Sequence, residues 1–373
     1  MSGPERALAR IDLGAIERNC QRLRQQLRGG TQLCAVVKAD GYGHGAVWAA
    51  KAAVDGGAAR LAVATAAEAE DLRRHGLAVP ILVMGALTAD ELRLALEADA
   101  DLVAWRTGFA SAVAEHALPG ARRPRVHVKL DSGMGRLGTA DIEEARAVAE
   151  AVAADERLEL AGAMTHFATA DEPGDEHFPA QLERFMPFAR ELKERHPELL
   201  VHAANSAATL REPAAHFDMV RCGIAVYGLD PFNRDPFEHG LEPALTLESW
   251  VAAVKRFRPG DSAGYGRSWR AERDTWVATL PIGYGDGWRR GLSNDCDVLI
   301  RGRRHPLVGT ISMDNVTVEL GPETDLEPGD SAVLIGPQGD ERILCEEVAQ
   351  RLDTINYEVV TGLLPRVRRL HSR

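Results

Sequence analysis

What this chain lacks narrows it first. Cysteine is scarce: Cys20, Cys34, Cys222, Cys296 and Cys345 are odd in number, widely spread and form no C-x-x-C pair. That pattern argues against a disulfide framework or a thiolate metal centre, so no metal is expected, and it fits reduced thiols in a cytoplasmic protein. No apolar run approaches the length of a membrane span. The opening MSGPERALARIDL carries charge and no apolar core, so no signal peptide is expected. Basic charge is in deficit, with a net charge of -11, which argues against nucleic acid and anionic membrane surfaces as partners. Repeats of fixed period and low-complexity segments are absent as well. The expectation is a soluble, cytoplasmic globular protein.

What is present is enough apolar sequence for a large core. At 373 residues and 45% hydrophobic, two domains are expected. Short apolar runs alternate with alanine-rich, charged segments. The candidate strands are 33–38, 60–65, 80–84, 101–105, 125–130, 160–165, 200–203 and 219–226. Helix-like stretches such as AAEAEDLRRHG, ADELRLALEA and DIEEARAVAEAVAA lie between them. This rhythm matches a (β/α)8 barrel, although a doubly wound open sheet gives a similar alternation. After Gly228 the pattern changes. LDPFNRDPFEHGLEP reads as a linker, and the remainder, with ALTLESWVAAVKRF, TWVATLP and DVLIRGRRHPLVG, reads as mostly β. The expected domains are 8–235 and 236–373.

One stretch organises the rest. Leu33–Val37 is an apolar run that ends at Lys38, and ADGYGHG follows. A lysine at the end of a buried strand is costly unless its amine loses its charge. It either caps the strand and reaches solvent, or it works as a neutral amine and forms an imine with an aldehyde. The residues expected at the other strand ends are Met84, Trp105, Asp131, His166, Asn205 and Arg221–Gly223, so polar groups converge on the face where barrels keep their working residues. Lys129 lies within a strand and Arg136 in the glycine-rich loop beyond it. Ser206 reads as a helix N-cap whose neighbouring amides suit a phosphate. In the second half, Tyr265 stands between two glycines in SAGYGRSW.

AVVKADGYGHG resembles the signature of the alanine racemases, and matching motifs run from near residue 8 to the end. The resemblance implies the barrel-plus-β architecture. It makes Lys38 the carrier of pyridoxal 5'-phosphate (PLP) as a Schiff base and one of two catalytic bases, with Tyr265 the other. Tyr42, Ser206, Gly223, Ile224 and Tyr357 match phosphate contacts, with Asn205 beside them, and Arg221 matches the contact to the pyridine nitrogen. Arg136 matches a residue beside the cofactor and the catalytic tyrosine, and His166 one that hydrogen-bonds that tyrosine. Tyr284, Met313 and Asp314 match the substrate entrance and carboxylate site, and Lys129 matches a lysine that is carbamylated in several members.

Alanine is the implied substrate, with D-alanine for cell-wall peptidoglycan as the product's use. A homodimer with shared active sites is also implied. Ser312 and Thr361 stand where members commonly have cysteine, and the tail GLLPRVRRL also departs from the pattern, which puts the entrance channel in question. Three rivals stay open at this point: a PLP-dependent amino-acid decarboxylase of the same architecture, a broader amino-acid racemase, and a PLP-binding carrier without turnover.

Overall fold

The computed structural model describes residues 5–117, 120 and 122–373. They form two compact units, one of Ile16–Val226 and one of residues 5–15 with Tyr227–Arg373. The N-terminal strand β1 (Leu8–Asp12) belongs to the second unit. The barrel of the first is built from β2 (Gln32–Val36), β3 (Arg60–Val63), β4 (Ile81–Val83), β5 (Asp101–Ala104), β6 (Arg125–Lys129), β7 (Glu159–Met164), β8 (Leu200–His202) and β9 (Met219–Cys222). Every pairing among them is parallel, and β9 closes onto β2 with Gln32 opposite Met219. That closure decides between the two α/β arrangements in favour of the barrel.

The barrel strands are short apolar runs buried almost end to end, as parallel strands covered by helices must be. The helices begin where their sequences say. Thr65 with Glu68 and Thr88 with Glu91 form reciprocal capping boxes for Ala66–Arg74 and Ala89–Glu97, satisfying amides that the first turn leaves unpaired.

In β6 the sequence R-V-H-V-K alternates. Arg125, His127 and Lys129 share one face of the strand and Val126 and Val128 the other. His127 points into the barrel and reaches His202 of β8, across the intervening β7. Room for that ring comes from Gly162 of β7, where a Cβ atom would lie 2.0 Å from His127 Nδ1.

The second unit contains a seven-stranded sheet, a three-stranded sheet of Ala253–Phe257, Thr275–Leu280 and Val316–Gly321, and a two-stranded hairpin. The sequence reading grouped residues from 8 onward with the barrel. Instead β1 lies in the larger sheet, parallel to Arg368–Ser372 and antiparallel to Leu245–Trp250. Its apolar Leu8, Ala9 and Ile11 are buried there. The segment read as a linker is packed too: Leu229, Asp230 and Leu241 are buried, and Pro236–His239 forms a short 3-10 turn. Apolar residues spaced through a proline- and glycine-rich stretch anchor it to the sheet.

Candidate active site

Lys38 lies two residues beyond β2 and opens a backbone feature that the sequence did not disclose. Ala39 (φ 51, ψ 53), Asp40 (φ 53, ψ 47) and Gly41 (φ 60, ψ 45) form one turn of left-handed helix, and Tyr42 continues it at φ 52. Left-handed backbone costs a non-glycine residue about 1–2 kcal/mol, so the turn persists only because its surroundings impose it. Gly41 N–H bonds Val37 O at 2.9 Å and Gly45 N–H bonds Asp40 O at 2.8 Å. Ala46 N–H bonds Asp40 Oδ1 at 2.9 Å, and Ala39 N–H bonds Glu68 Oε1 at 2.7 Å. Glu68 therefore caps its own helix and also pins the lysine-bearing turn. Burial, and then the Arg136 guanidinium, hold the Lys38 amine below the usual lysine range, with Glu68 opposing them.

The loop carrying Arg136 is organised by Asp131. Its carboxylate accepts N–H groups from Gly133 (2.9 Å), Met134 (2.7 Å) and Gly135 (2.9 Å). Burial raises its pKa, but those amides and Lys129 outweigh burial and leave it lowered. Gly138 closes the loop at φ +116, with its Cβ position only 3.0 Å from Asp131 N, so a side chain there is excluded. Lys129, almost fully buried, is pushed down to about 8 by burial and by the charges of Arg221 and Arg136.

Arg221, on β9, is a heavily engaged, buried cation. Its Nη1 donates to His202 Nδ1 at 2.8 Å, and its Nη2 group faces Thr165 O (2.9 Å), Ala203 O (3.0 Å) and His166 Nδ1 (3.2 Å). Burial pushes its pKa down to about 10, which still leaves it charged at neutral pH. His166 is held well below the usual histidine range by burial, then by Arg221, Lys129, Arg136 and Lys38. It is therefore neutral amid four basic groups, an arrangement that attracts an anion.

A third cluster joins β8 and β9. Asn205, not Ser206, is the N-cap of helix Ser206–Arg211: its Oδ1 accepts Ala208 N–H at 3.0 Å. Ser206 Oγ instead accepts the N–H groups of Gly223 (3.0 Å) and Ala225 (3.4 Å). The sequence reading put the cap one residue late because asparagine and serine both favour that position. Gly223 faces Tyr42, and a Cβ on it would lie 2.3 Å from the tyrosine oxygen. Ile224 follows in a short 3-10 turn and is fully buried. Lys38, Tyr42, Lys129, Arg136, His166, Asn205, Ser206, Arg221, Gly223 and Ile224 thus all lie at or just past the carboxyl ends of barrel strands.

The remaining candidates belong to the second unit. Tyr265 stands at the turn between Ser262–Ala263 and Trp269–Arg270, flanked by Gly264 at φ 72 and Gly266 at φ 71, and it is 72% exposed within this chain. Tyr284 and Met313 are brought together: Tyr284 N–H bonds Ser312 O at 3.1 Å and Gly285 N–H bonds Met313 O at 2.8 Å. Both side chains are exposed. Asp314 pairs with Arg366 at 2.9 Å. Tyr357 lies in helix Asn356–Thr361, and Thr361 uses its hydroxyl to bond Tyr357 O at 2.7 Å.

Sequence reasoning missed Glu68, Asp101, His127 and His202. For Glu68 the available signal was the capping motif T-x-x-E, which points to a cap but not to the bond with Ala39. The alternation in RVHVK was the available signal for His127.

The chain is similar to known proteins over nearly its whole length. Residues 11–231 match the family model for the alanine racemase N-terminal domain, and residues 244–371 that for the C-terminal domain. The chain is 43% identical over 366 residues to alanine racemase 1 of Bacillus subtilis, covering 97% of this chain and 92% of the relative. It is 42% identical over 371 residues to the alanine racemase of Geobacillus stearothermophilus, covering 98% and 93%. Among solved structures, alanine racemase from E. faecalis superposes with a TM-score of 0.92 at 36% identity, covering 100% of both chains. That from Bacillus anthracis with bound L-Ala-P gives 0.90 at 38% identity, covering 100% of this chain and 96% of the other.

Proposed function

The chain belongs to the alanine racemase family, and from that premise we propose that it interconverts L- and D-alanine with bound PLP, using Lys38 and Tyr265 as two bases. The observation that carries this reading is the convergence of Lys38, Lys129 and Arg221 at the carboxyl ends of barrel strands, with Arg221 Nη2 3.2 Å from His166 Nδ1. It fits an anionic, phosphate-bearing cofactor, and the glycine at 223 lets Tyr42 pack where a Cβ atom would otherwise stand. Tyr42, Ser206, Gly223 and Ile224, with Asn205 beside them, are assigned to the phosphate. Arg221 is assigned to the ring nitrogen, where a charged donor disfavours protonation and so restrains transamination.

When bound, PLP supplies an electron sink that acidifies the α-hydrogen of an amino acid. Inverting the centre then needs a proton acceptor on one face and a donor on the other. Lys38 suits the first role because burial and Arg136 favour its neutral amine. A free phenol has a pKa near 10, so Tyr265 needs its anion stabilised, and Arg136 and His166 are assigned that task. Tyr284, Met313 and Asp314 are assigned to the substrate entrance and carboxylate region.

The exposure of Tyr265 (72%) and Met313 (51%) within one chain supports a homodimer in which a second copy receives them. The value near 8 at Lys129 supports its carbamylation, since the neutral amine is the form that adds carbon dioxide. The resulting anion would offset the charges of Arg221 and Arg136. A cytoplasmic supply of D-alanine for cell-wall peptidoglycan is the use this activity implies.

The deciding experiment is a panel of L-amino acids incubated with the purified protein and followed by chiral chromatography. Alanine is expected to racemise fastest, and Lys38→Ala is expected to be inactive. Turnover of serine or lysine above alanine, or release of carbon dioxide without racemisation, would overturn the assignment.

A further inference from the structure

A chain of buried polar groups runs along the barrel interior from its amino end to the site. Asp101, the first residue of β5, is fully buried and pairs with Arg60 at 2.9 Å and with Arg125. Its Oδ2 lies 3.4 Å from His127 Nε2. His127 Nδ1 lies 2.9 Å from His202 Nε2, His202 Nδ1 lies 2.8 Å from Arg221 Nη1, and Arg221 Nη2 lies 3.2 Å from His166 Nδ1. Neither His127 nor His202 exposes any surface.

The two ends dictate the hydrogens between them. A guanidinium only donates, so His202 Nδ1 must accept, and neutral His202 carries its hydrogen on Nε2. That hydrogen points at His127 Nδ1, which must therefore accept as well, leaving the His127 hydrogen on Nε2 and aimed at Asp101. A carboxylate only accepts, and the chain ends matched. On the other branch, Arg221 makes His166 Nδ1 an acceptor and puts its hydrogen on Nε2. Burial and the Arg221 charge hold both His202 and His166 well below the usual histidine range, which agrees with neutral rings. A carboxylate behind a histidine orients the ring and strengthens the far nitrogen as an acceptor.

We propose that Asp101 is a positioning residue for the site: acting through His127 and His202, it fixes the orientation of Arg221 and hence the tautomer of His166. The proposal rests on the preceding section only in taking Arg221 and His166 as site groups. Two features favour a relay over a mere ion pair at the barrel end. Gly162 vacates the space that His127 occupies, and the β6–β7 register shifts between Val126 and His127.

The test compares the full-length wild type with Asp101→Asn and His127→Phe. The His127 variant leaves the Asp101 pairs with Arg60 and Arg125 in place, so it separates the relay from anchorage of the barrel end. Long-range 1H–15N NMR at neutral pH, without substrate, reads the imidazole tautomers. In the wild type, His127, His202 and His166 are expected neutral with hydrogen on Nε2. In both variants His202 is expected to turn and to release Arg221 from this orientation, and with it the single tautomer at His202 and His166 is lost. In the same proteins kcat for L-alanine is expected to fall by roughly tenfold or more, the lower end of the range for removing the partner behind a metal-bound histidine, with KM moving less.

Hydrogen on His202 Nδ1 in the wild type would overturn the proposal, as would wild-type tautomers at both rings in His127→Phe. If Asp101→Asn does not fold, His127→Phe decides alone. The NMR arm needs no turnover, so an inactive wild type would sink the racemase reading and leave this one standing.

Discussion

The Gly223 Cα carries its missing side chain toward Tyr42: a Cβ there would lie 2.3 Å from the hydroxyl oxygen and 2.8 Å from Cζ. Tyr42 is itself held in the left-handed turn that begins after Lys38, so it cannot retreat without unwinding that turn. Gly223→Ala is expected to weaken PLP retention, because inserting a methyl group into a packed site costs about 1–3 kcal/mol. Cofactor loss on dialysis, followed by absorbance, measures it. Retention equal to wild type would show that the glycine serves only the backbone.

Tyr265→Phe removes a hydroxyl from an exposed turn residue, so folding and PLP content are expected to be unchanged. Racemisation is expected to collapse, and the residual proton exchange with solvent to become unequal between the L- and D-directions. Isotope wash-in from each enantiomer separates the two. Equal wild-type rates in both directions would remove Tyr265 from the mechanism.

Lys129 has a folded pKa of about 8 against 10.5 for an ordinary lysine. The unfolded chain therefore binds the extra proton across that window, and stability from this group rises with pH between those two values. Below pH 8 the folded state carries the full penalty, on the order of 3 kcal/mol. The difference in unfolding free energy between wild type and Lys129→Met should follow that curve when bicarbonate is excluded. Bicarbonate is expected to flatten it and to add one carbamyl group to the intact mass. A flat difference without bicarbonate would discard the buried-amine account.

Gly162→Ala drives a methyl group into His127, 2.0 Å from its Nδ1. The expected loss is about 1–3 kcal/mol, read as a lowered Tm. Combining it with His127→Ala should recover much of that loss, since the second change vacates the space. A purely additive double mutant would mean that the steric conflict lies elsewhere.

Much of the fold was legible because barrel strands declare themselves by composition: short runs such as Leu33–Val37 and Ile81–Val83 are apolar on both faces, and alanine-rich, charged stretches such as AAEAEDLRRHG between them form the helices. The place of β1 was not legible, since a strand's apolar pattern says that it will be buried but not in which sheet. The left-handed turn at Ala39–Tyr42 was equally hidden. Alanine and aspartate do not favour that backbone by themselves, and the contacts that hold it come from Asp40, Glu68 and Val37.

The sequence by itself determined which chemical groups are available and in what order along the chain: an amine after a buried strand, an arginine in a glycine loop, and a tyrosine between two glycines. Tertiary structure alone decided which of them meet. Strand order around the barrel brings Asp101, His127, His202 and Arg221 from four different strands into one hydrogen-bonded line. The physical reason is that a side chain's donor or acceptor role depends on what faces it, and no local propensity encodes a partner some 20 to 75 residues away.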